Sequence, residues 1–296
     1  MKLYSADEMG QADGGAQEIG IPSGVLMERA GVGMAHAALE RFGSLDGRRV
    51  LVVAGGGNNG GDGFVIAAGG DGTINEVVNG LEREATLGIL PLGTANVLAR
   101  ELGLPLKAEA ACDRILTGKE SRIDVGVATD REGVERRFTC MAGMGFDAHV
   151  VNEVTPRLKQ YLKTLAFALT AFKVYLDGDL PTLHVVHGDT TYVTQFAIVA
   201  NGRYYGGDFR TAEAASLTTG KLEVVLVDRV SRLLRPDILV RILAKRPLDR
   251  SMRSLTAREL RARSPGARVP MQLDGEAWGR LPMSFRIEPA ALKVVR

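Results

Sequence analysis

Apolar positions recur in two rhythms along this chain, and the rhythm changes near Asp124. Ile21-Pro22-Ser23 precedes Val25, Leu26, Ala30, Met34, Ala37, Ala38 and Phe42, which are spaced for one face of a helix capped by Ser23 and ended by Gly43. Arg49 to Ala54 reads as a buried strand running into a glycine loop over Gly55 to Gly63. Phe64 to Ala68 is a second short apolar run, entering another glycine loop at Gly69. Asn75 to Leu81 is predicted helical, and Gly88 to Leu90 is a strand closed by Pro91. Strands alternating with helices predict an open parallel α/β sheet down to about Asp124.

Beyond that point the helices thin out. Phe138 to Met141, Leu183 to Val186, Val193 to Ala200, Leu222 to Val227, Val269 to Leu273 and Ser284 to Ile287 are short apolar runs separated by turn signals, the texture of an antiparallel β-sandwich. One helix interrupts them. Thr155-Pro156 opens it, and Leu158, Leu162, Leu165, Leu169, Phe172 and Leu176 form a stripe that would serve equally to pack on a core or to face lipid.

Composition excludes several classes. A formal charge of +2 implies no general attraction to nucleic acid. The charge is uneven, because from Arg229 to Arg268 the only acids are Asp237, Asp249 and Glu259 among many arginines. Such a stretch is either a solvated face or a surface for anionic headgroups, with Arg241, Lys245, Arg246, Arg250 and Arg253 as its candidate contacts. Cys112 and Cys140 are too few for a disulfide framework or a zinc site, which predicts a reducing cytoplasm. No signal peptide is predicted past Asp7 and Glu8, and the apolar stretch near Leu165 to Phe172 is too short to span a bilayer. The expectation is a cytoplasmic protein, at most peripheral at the inner face of a membrane.

The candidate chemistry lies in glycine loops. Gly69-Gly70-Asp71-Gly72-Thr73 sits at a strand end and opens a helix through Ile74, Asn75 and Glu76. Glycines let backbone approach a polyphosphate, and N–H groups at a helix start favour its charge. The next strand supplies Pro91-Leu92-Gly93-Thr94-Ala95-Asn96, again before a helix. Two such loops on neighbouring strands make one crevice beyond the carboxyl ends of the sheet, although Thr94 and Asn96 also suit plain helix caps. Far along the chain, Asp274-Gly275-Glu276 follows an apolar strand. It reads either as a hairpin turn or as a metal carboxylate beside a general base.

These motifs resemble those of diacylglycerol kinases and related lipid kinases. Gly69 to Gly80 is similar to the family's nucleotide loop, and Leu90 to Asn96 to its second loop. Arg122-Ile123-Asp124-Val125-Gly126, Ala142 to Asp147, Asn201 to Gly207, Asp274-Gly275-Glu276 and Pro289 to Leu292 follow in the family's order, so the resemblance covers about residues 67 to 296. It implies an α/β nucleotide lobe of the NAD kinase/diacylglycerol kinase kind over 67–124, then an antiparallel β-sandwich lobe over 125–296. It further implies ATP- and Mg²⁺-dependent phosphorylation of a diacylglycerol-like lipid hydroxyl, as in phospholipid biosynthesis. ATP would be bound by Gly69, Gly70, Asp71, Gly72, Thr73, Ile74, Asn75, Glu76, Thr94 and Asn96. Asp71, Asp124 and Asp274 would hold or orient Mg²⁺, directly or through water, and Glu276 would act as the base, with Asp71 and Asp274 beside it in the catalytic set. The partners implied are a lipid substrate at a membrane surface and, at most, a second copy in a homodimer.

Two positions depart from the pattern. Val97 stands where the family often has Asp, and Thr219 stands where part of the family uses an Asp for a structural metal, so no metal is expected at Ser216, Thr219 and Lys221. The family's Asn-Pro-x-x-Gly loop and the units after it are missing. Instead, residues 1 to about 66 resemble the start of NAD(P)H-hydrate epimerase through Ile21-Pro22-Ser23, Leu26 to Gly31 and Val53 to Val65. Gly60-Gly61-Asp62-Gly63 and Gly69-Gly70-Asp71-Gly72 then bracket a join between two shortened parts. Gly55 to Gly63 is either a linker or a substitute phosphate loop that approaches Gly70 to Thr73. Alternatives to an active lipid kinase are a catalytically weak nucleotide- or lipid-binding pseudokinase and a remnant epimerase.

Overall fold

The computed structural model describes residues 50–54, 64–81, 84–145, 181–207, 209–228, 252–266 and 269–296. The helices expected over 23–42 and 155–176, the loop 55–63 and the basic positions 241, 245, 246 and 250 lie outside those residues. The chain divides into two compact units, one of residues 1–122 with 292–296 and the other of 123–291.

In the first unit the described strands are β1 (Val50–Ala54), β2 (Phe64–Gly69) and β3 (Thr86–Pro91). They are joined by the end of a long last strand, β17 (Met283–Val295). The helices are α1 (Asp71–Gly80), α2 (Val97–Glu101) and α3 (Ala108–Thr117). β2 and β3 pair in parallel, with α1 as the crossover between them, and Lys293 and Val294 of β17 add a parallel neighbour on the far edge of β3. A parallel strand buried on both faces reads as one apolar run, and every residue of β3 is buried. α3 lays Ala108, Ala111, Cys112 and Ile115, one helical face, on Ile66, Ala68 and Leu90. Burial pushes the Cys112 thiol above its ordinary range, which leaves it an inert core group. At one margin Glu84 accepts from Arg122 at 2.9 Å and Lys293 at 3.0 Å, and the Lys293 hydrogen bond leads in holding its carboxyl below the usual range.

The expectation of parallel strands throughout fails at β1. It pairs antiparallel with β2, from Val50↔Ala68 to Ala54↔Phe64. The cause is length: nine residues separate Ala54 from Phe64, fewer than the ten to twelve or so that a parallel crossover with a helix needs. The two ends of the link that reads as a linker or a substitute phosphate loop are fixed by this pairing, while the link lies outside the described residues. The link over 55–63 leaves Ala54 and returns at Phe64, the amino end of β2, whereas Gly69 and Gly70 stand at its carboxyl end.

The second unit holds β4 (Glu120–Asp130) from Ile123 onward, then β5 (Glu135–Phe138), β6 (Met141–Gly145), β7 (Leu183–His187), β8 (Thr190–Thr194) and β9 (Phe196–Ala200). The short ribbon β10 (Tyr204–Tyr205) and β11 (Phe209–Arg210) follows. β12 (Leu222–Val227), β13 (Arg253–Ala257), β14 (Glu259–Arg263), β15 (Pro270–Leu273), β16 (Glu276–Arg280) and β17 up to Ala291 complete it. One sheet runs β13-β12-β9-β6-β15-β16, antiparallel throughout. Facing it, β17 pairs with β14, β14 with β7, β7 with β8, and β4 with β5, again antiparallel. This is the expected sandwich. β13 and β14 arise in the arginine-rich stretch because apolar Leu255, Ala257, Leu260 and Ala262 alternate with exposed residues.

The sandwich core joins Met144, Val199, Val224 and Met271 of one sheet to Leu183, Val185, Leu260 and Phe285 of the other. β9 and β12 are buried along their whole length because their opposite face carries a second cluster, with Ala212 and Ala215 packed on Phe196, Ile198 and Val225. Phe138 and Phe285 meet edge to face at 6.5 Å and 81°. Gly126 makes room for them, since a β-carbon there would stand 2.1 Å from the Phe138 ring. Phe138→Ala is expected to destabilise the second unit by about 3–5 kcal/mol, read as a lower midpoint in urea unfolding at unchanged slope.

Candidate functional site

The two glycine loops are brought together by strand register. Ala68↔Leu90 and Gly69↔Pro91 are neighbours, so the chain leaves β2 and β3 at the same carboxyl edge. The Leu92 N–H donates to the Gly69 carbonyl at 3.0 Å. Beyond that bond the backbones touch, and a β-carbon on Gly93 would stand 2.4 Å from the Gly70 α-carbon. No other residue type permits this approach. Asp71, the first residue of α1, accepts the N–H of Val97, the first residue of α2, on Oδ1 at 2.6 Å. One carboxylate thus laces two helix starts. The bond uses the backbone of position 97, where Val stands in place of the family's frequent Asp. Gly70 precedes α1 in extended conformation and no side chain caps the helix, which leaves that turn's N–H groups to favour an anion.

The other residues expected at the nucleotide divide. Thr94 is exposed on its loop and Glu76 on α1. Ile74 and Asn75 are buried, and the Asn75 side-chain oxygen accepts from Asn79 at 3.3 Å, so both serve the packing of α1. Thr73 is also buried, beneath Gly69. Asn96 is committed to its own loop. It takes a left-handed conformation at φ 48°, accepts the Gly93 N–H at 2.9 Å and donates to the Gly93 carbonyl at 2.8 Å.

In the second unit, Asp124 and Asp274 hold backbone. Asp124 is buried, and its two oxygens accept the N–H groups of Gly220 at 2.6 Å and Ala290 at 2.9 Å. Both are left-handed residues, at φ 63° and 51°. For Ala290 that conformation is unfavourable, and the charge-assisted bond offsets it. Asp274 and Gly275, at φ 49° and 88°, form the two-residue turn between β15 and β16, the Asp-Gly hairpin. The Asp274 carboxylate then reaches the link between β5 and β6. Oδ1 accepts the N–H groups of Cys140 at 2.8 Å and Met141 at 2.9 Å, and Oδ2 accepts the N–H at 2.7 Å and hydroxyl at 3.0 Å of Thr139. Asn201, missed as a chemical residue, connects the two acids. Its Nδ2 donates to the carbonyls of Asp124 and Thr139, each at 2.8 Å. The signal was the motif Asn201 to Gly207, which opens at the end of the wholly apolar run Phe196 to Ala200 and to which the sequence reading gives no role. Glu276, two residues past Asp274, is exposed, and its carboxylate makes no hydrogen bond or ion pair among the described residues.

Magnesium fits these acids unequally. An ionised carboxylate offers about four acceptor sites, and in this structure four donors from Thr139, Cys140 and Met141 engage the Asp274 oxygens. Asp124 is buried with both oxygens engaged by N–H groups. Among the described residues no group of three or more His, Cys, Asp or Glu could cage a metal. Asp71, partly exposed at the phosphate-type loop, is the carboxylate whose setting suits a Mg²⁺ that keeps phosphate and water ligands. At the loop where part of the family holds a structural metal and none is expected here, the Thr219 hydroxyl donates to the carbonyls of Ser216 and Lys221, both at 3.3 Å, and thus spans the loop itself.

Residues 27–128 match the diacylglycerol kinase catalytic domain, and residues 140–296 match the YegS C-terminal NAD kinase beta sandwich-like domain. A diacylglycerol kinase of Mycobacterium tuberculosis (strain H37Rv) is 32% identical over 246 residues, 78% of this chain and 76% of that one. The diacylglycerol kinase of Bacillus subtilis (strain 168) is 30% identical over 235 residues, 75% and 73% of the two chains. A crystal structure of a diacylglycerol kinase from Bacillus anthracis str. Sterne superposes with a TM-score of 0.62 at 22% identity, over 78% of this chain and 77% of that one, a likeness of fold. The architecture is therefore that of the two-lobed kinases, an α/β nucleotide-binding lobe with a β-sandwich lobe. The chain belongs to the diacylglycerol kinase family. The catalytic-domain match opens at residue 27.

Removing the buried Asp124 carboxylate leaves two N–H groups without an acceptor. Asp124→Ala is therefore expected to lower unfolding free energy by about 2–4 kcal/mol, measured by urea denaturation, with Asp124→Asn in between because its amide oxygen still accepts.

Proposed function

We propose that this protein transfers the γ-phosphoryl group of ATP to the hydroxyl of a diacylglycerol-like lipid. The observation that carries the reading is the backbone contact of the Gly69–Gly72 and Gly93–Thr94 loops at the carboxyl edge of two parallel strands. Side-chain-free backbone and an uncapped helix start suit a polyphosphate. Membership in the diacylglycerol kinase family, and the names of the relatives, favour a lipid hydroxyl as acceptor. In this reading the N–H groups of Gly70 to Thr73 and the Thr94 hydroxyl bind phosphate, and Asp71 orients the Mg²⁺ that the nucleotide carries. That ion, when bound, neutralises charge on the phosphate oxygens. Glu276 takes the proton of the attacking hydroxyl, a role suited to a carboxylate without another partner.

We read the first 66 or so residues as an epimerase-like segment joined to the kinase lobe. The antiparallel β1–β2 hairpin supports this, because its short link takes the place of a parallel unit. The overlap of the kinase match from residue 27 sets the join less sharply than the motifs do. No helix among the described residues is long and apolar enough to cross a membrane. We therefore place the lipid encounter at a membrane surface, through the arginine-rich stretch in which Arg253 is exposed and paired to Asp228 at 3.0 Å.

Labelled γ-phosphate from ATP is expected to reach diacylglycerol in a panel containing other lipids and NAD. Label found on NAD alone would overturn the reading. Asp71→Ala is expected to lower turnover by orders of magnitude while circular dichroism stays that of the folded protein. Near wild-type turnover would mean that the nucleotide lies elsewhere. Pelleting with anionic vesicles is expected to fall steeply as salt rises past physiological ionic strength, where the Debye length is about 8 Å. Salt-independent pelleting would remove the electrostatic contact.

A further inference from the structure

We propose that Asp274 is a positioning residue, whose carboxylate clamps Thr139, Cys140 and Met141 and thereby fixes the turn that presents Glu276. The inference deepens the kinase reading and rests on it for the role of Glu276.

The turn itself does not need this side chain. A two-residue hairpin of left-handed residues is made as well by Asn-Gly as by Asp-Gly. What Asp adds is a second charged oxygen, and both oxygens are spent on a segment 133 to 135 residues away. That segment is the irregular link between Phe138, the end of β5, and Met141, the start of β6. Three successive N–H groups there converge on one carboxylate, and the Thr139 hydroxyl adds a fourth donor. The turn is held from its backbone as well, since the Asp274 N–H donates to the Met141 carbonyl at 2.9 Å. Thr139 is in turn fixed by Asn201, which spans from its carbonyl to that of Asp124. The N–H groups of Asn201 and Gly202 close on the Cys140 carbonyl at 2.8 and 3.0 Å.

The arrangement constrains direction as well as stability. Glu276 starts β16 opposite Leu273, so the pitch of the turn decides where its carboxylate points. Among the described residues ladder bonds hold β16 on one side only, where it is the last strand of its sheet. The clamp supplies the constraint that a second neighbour would give. A general base must lie within hydrogen-bond reach of the proton that it takes, and a displacement near 1 Å can cost about a hundredfold in rate.

The full-length chain tests this with Asp274→Asn, Thr139→Val and Thr139→Ser. Asp274→Asn keeps the volume but turns one acceptor into a donor facing Thr139. Thr139→Val removes only the hydroxyl, with its contacts to Asp274 and the Cys140 sulfur, and preserves the fold should Asp274→Asn not fold. By hydrogen exchange, the amides of Thr139 to Met141 are expected to exchange at least tenfold faster in Asp274→Asn, about 1.4 kcal/mol. In Thr139→Val, kcat is expected to fall at least tenfold with KM for ATP within twofold of wild type, and Thr139→Ser is expected to restore it. The Mg²⁺ concentration giving half-maximal nucleotide binding is expected to stay within twofold in every variant. Unchanged exchange at those amides would overturn the clamp. A kcat that survives faster exchange would reduce the clamp to a structural tie, and a tenfold rise in the Mg²⁺ requirement of Asp274→Asn would make it a ligand after all. If the wild-type chain transfers no phosphate to any lipid, the kinase reading fails, while the exchange measurement still decides the clamp.

Discussion

A backbone N–H that leaves a sheet ladder and stays buried needs an acceptor, and in this protein carboxylates supply it where the chain turns most sharply. Asp71 takes the first amide of α2, Asp124 those of Gly220 and Ala290, and Asp274 three in a row. Each bond is charge-assisted, and so roughly twice as strong as a neutral one. Regular strands and helices would form from their apolar patterns alone. The loops between them, where the chemistry is placed, take their shapes from these three side chains.

This explains why acids carry the most specific sequence motifs without all touching ligand. An Asp that organises two loops leaves the same trace in a sequence as an Asp that binds a metal. Geometry separates them: Asp274 meets four donors, Asp124 is buried between two left-handed residues, and Asp71 sits partly exposed beside glycines. Reactivity in such a site is assigned by which oxygens remain available.

The sequence made the two-lobe division, the sandwich and the pairing of glycine loops legible, because apolar periodicity and Gly-Asp clusters record them directly. It hid what depends on contacts between distant segments. Asn201 opens a family motif, yet nothing in that motif told that its side chain spans Asp124 and Thr139. Asn96 reads equally as ligand or cap, and only its bonds to Gly93 show that it closes its own loop. The direction of β1 was set by the length of its connection rather than by its residues, which are apolar enough for either orientation. β13 and β14 were masked by arginines, since charge on the solvent face hides a period-two pattern unless the buried face is read separately.

The return of the chain to its first unit has a consequence for biosynthesis. Lys293 and Val294 supply the parallel neighbour of β3, and Arg296 and Lys119 exchange backbone hydrogen bonds at 2.9 and 3.0 Å. Until that segment is made, the edge of β3 lacks this neighbour. The whole β-sandwich, residues 123–291, is translated in the meantime. Pairing along that edge of β3 therefore closes a loop that contains the whole second unit.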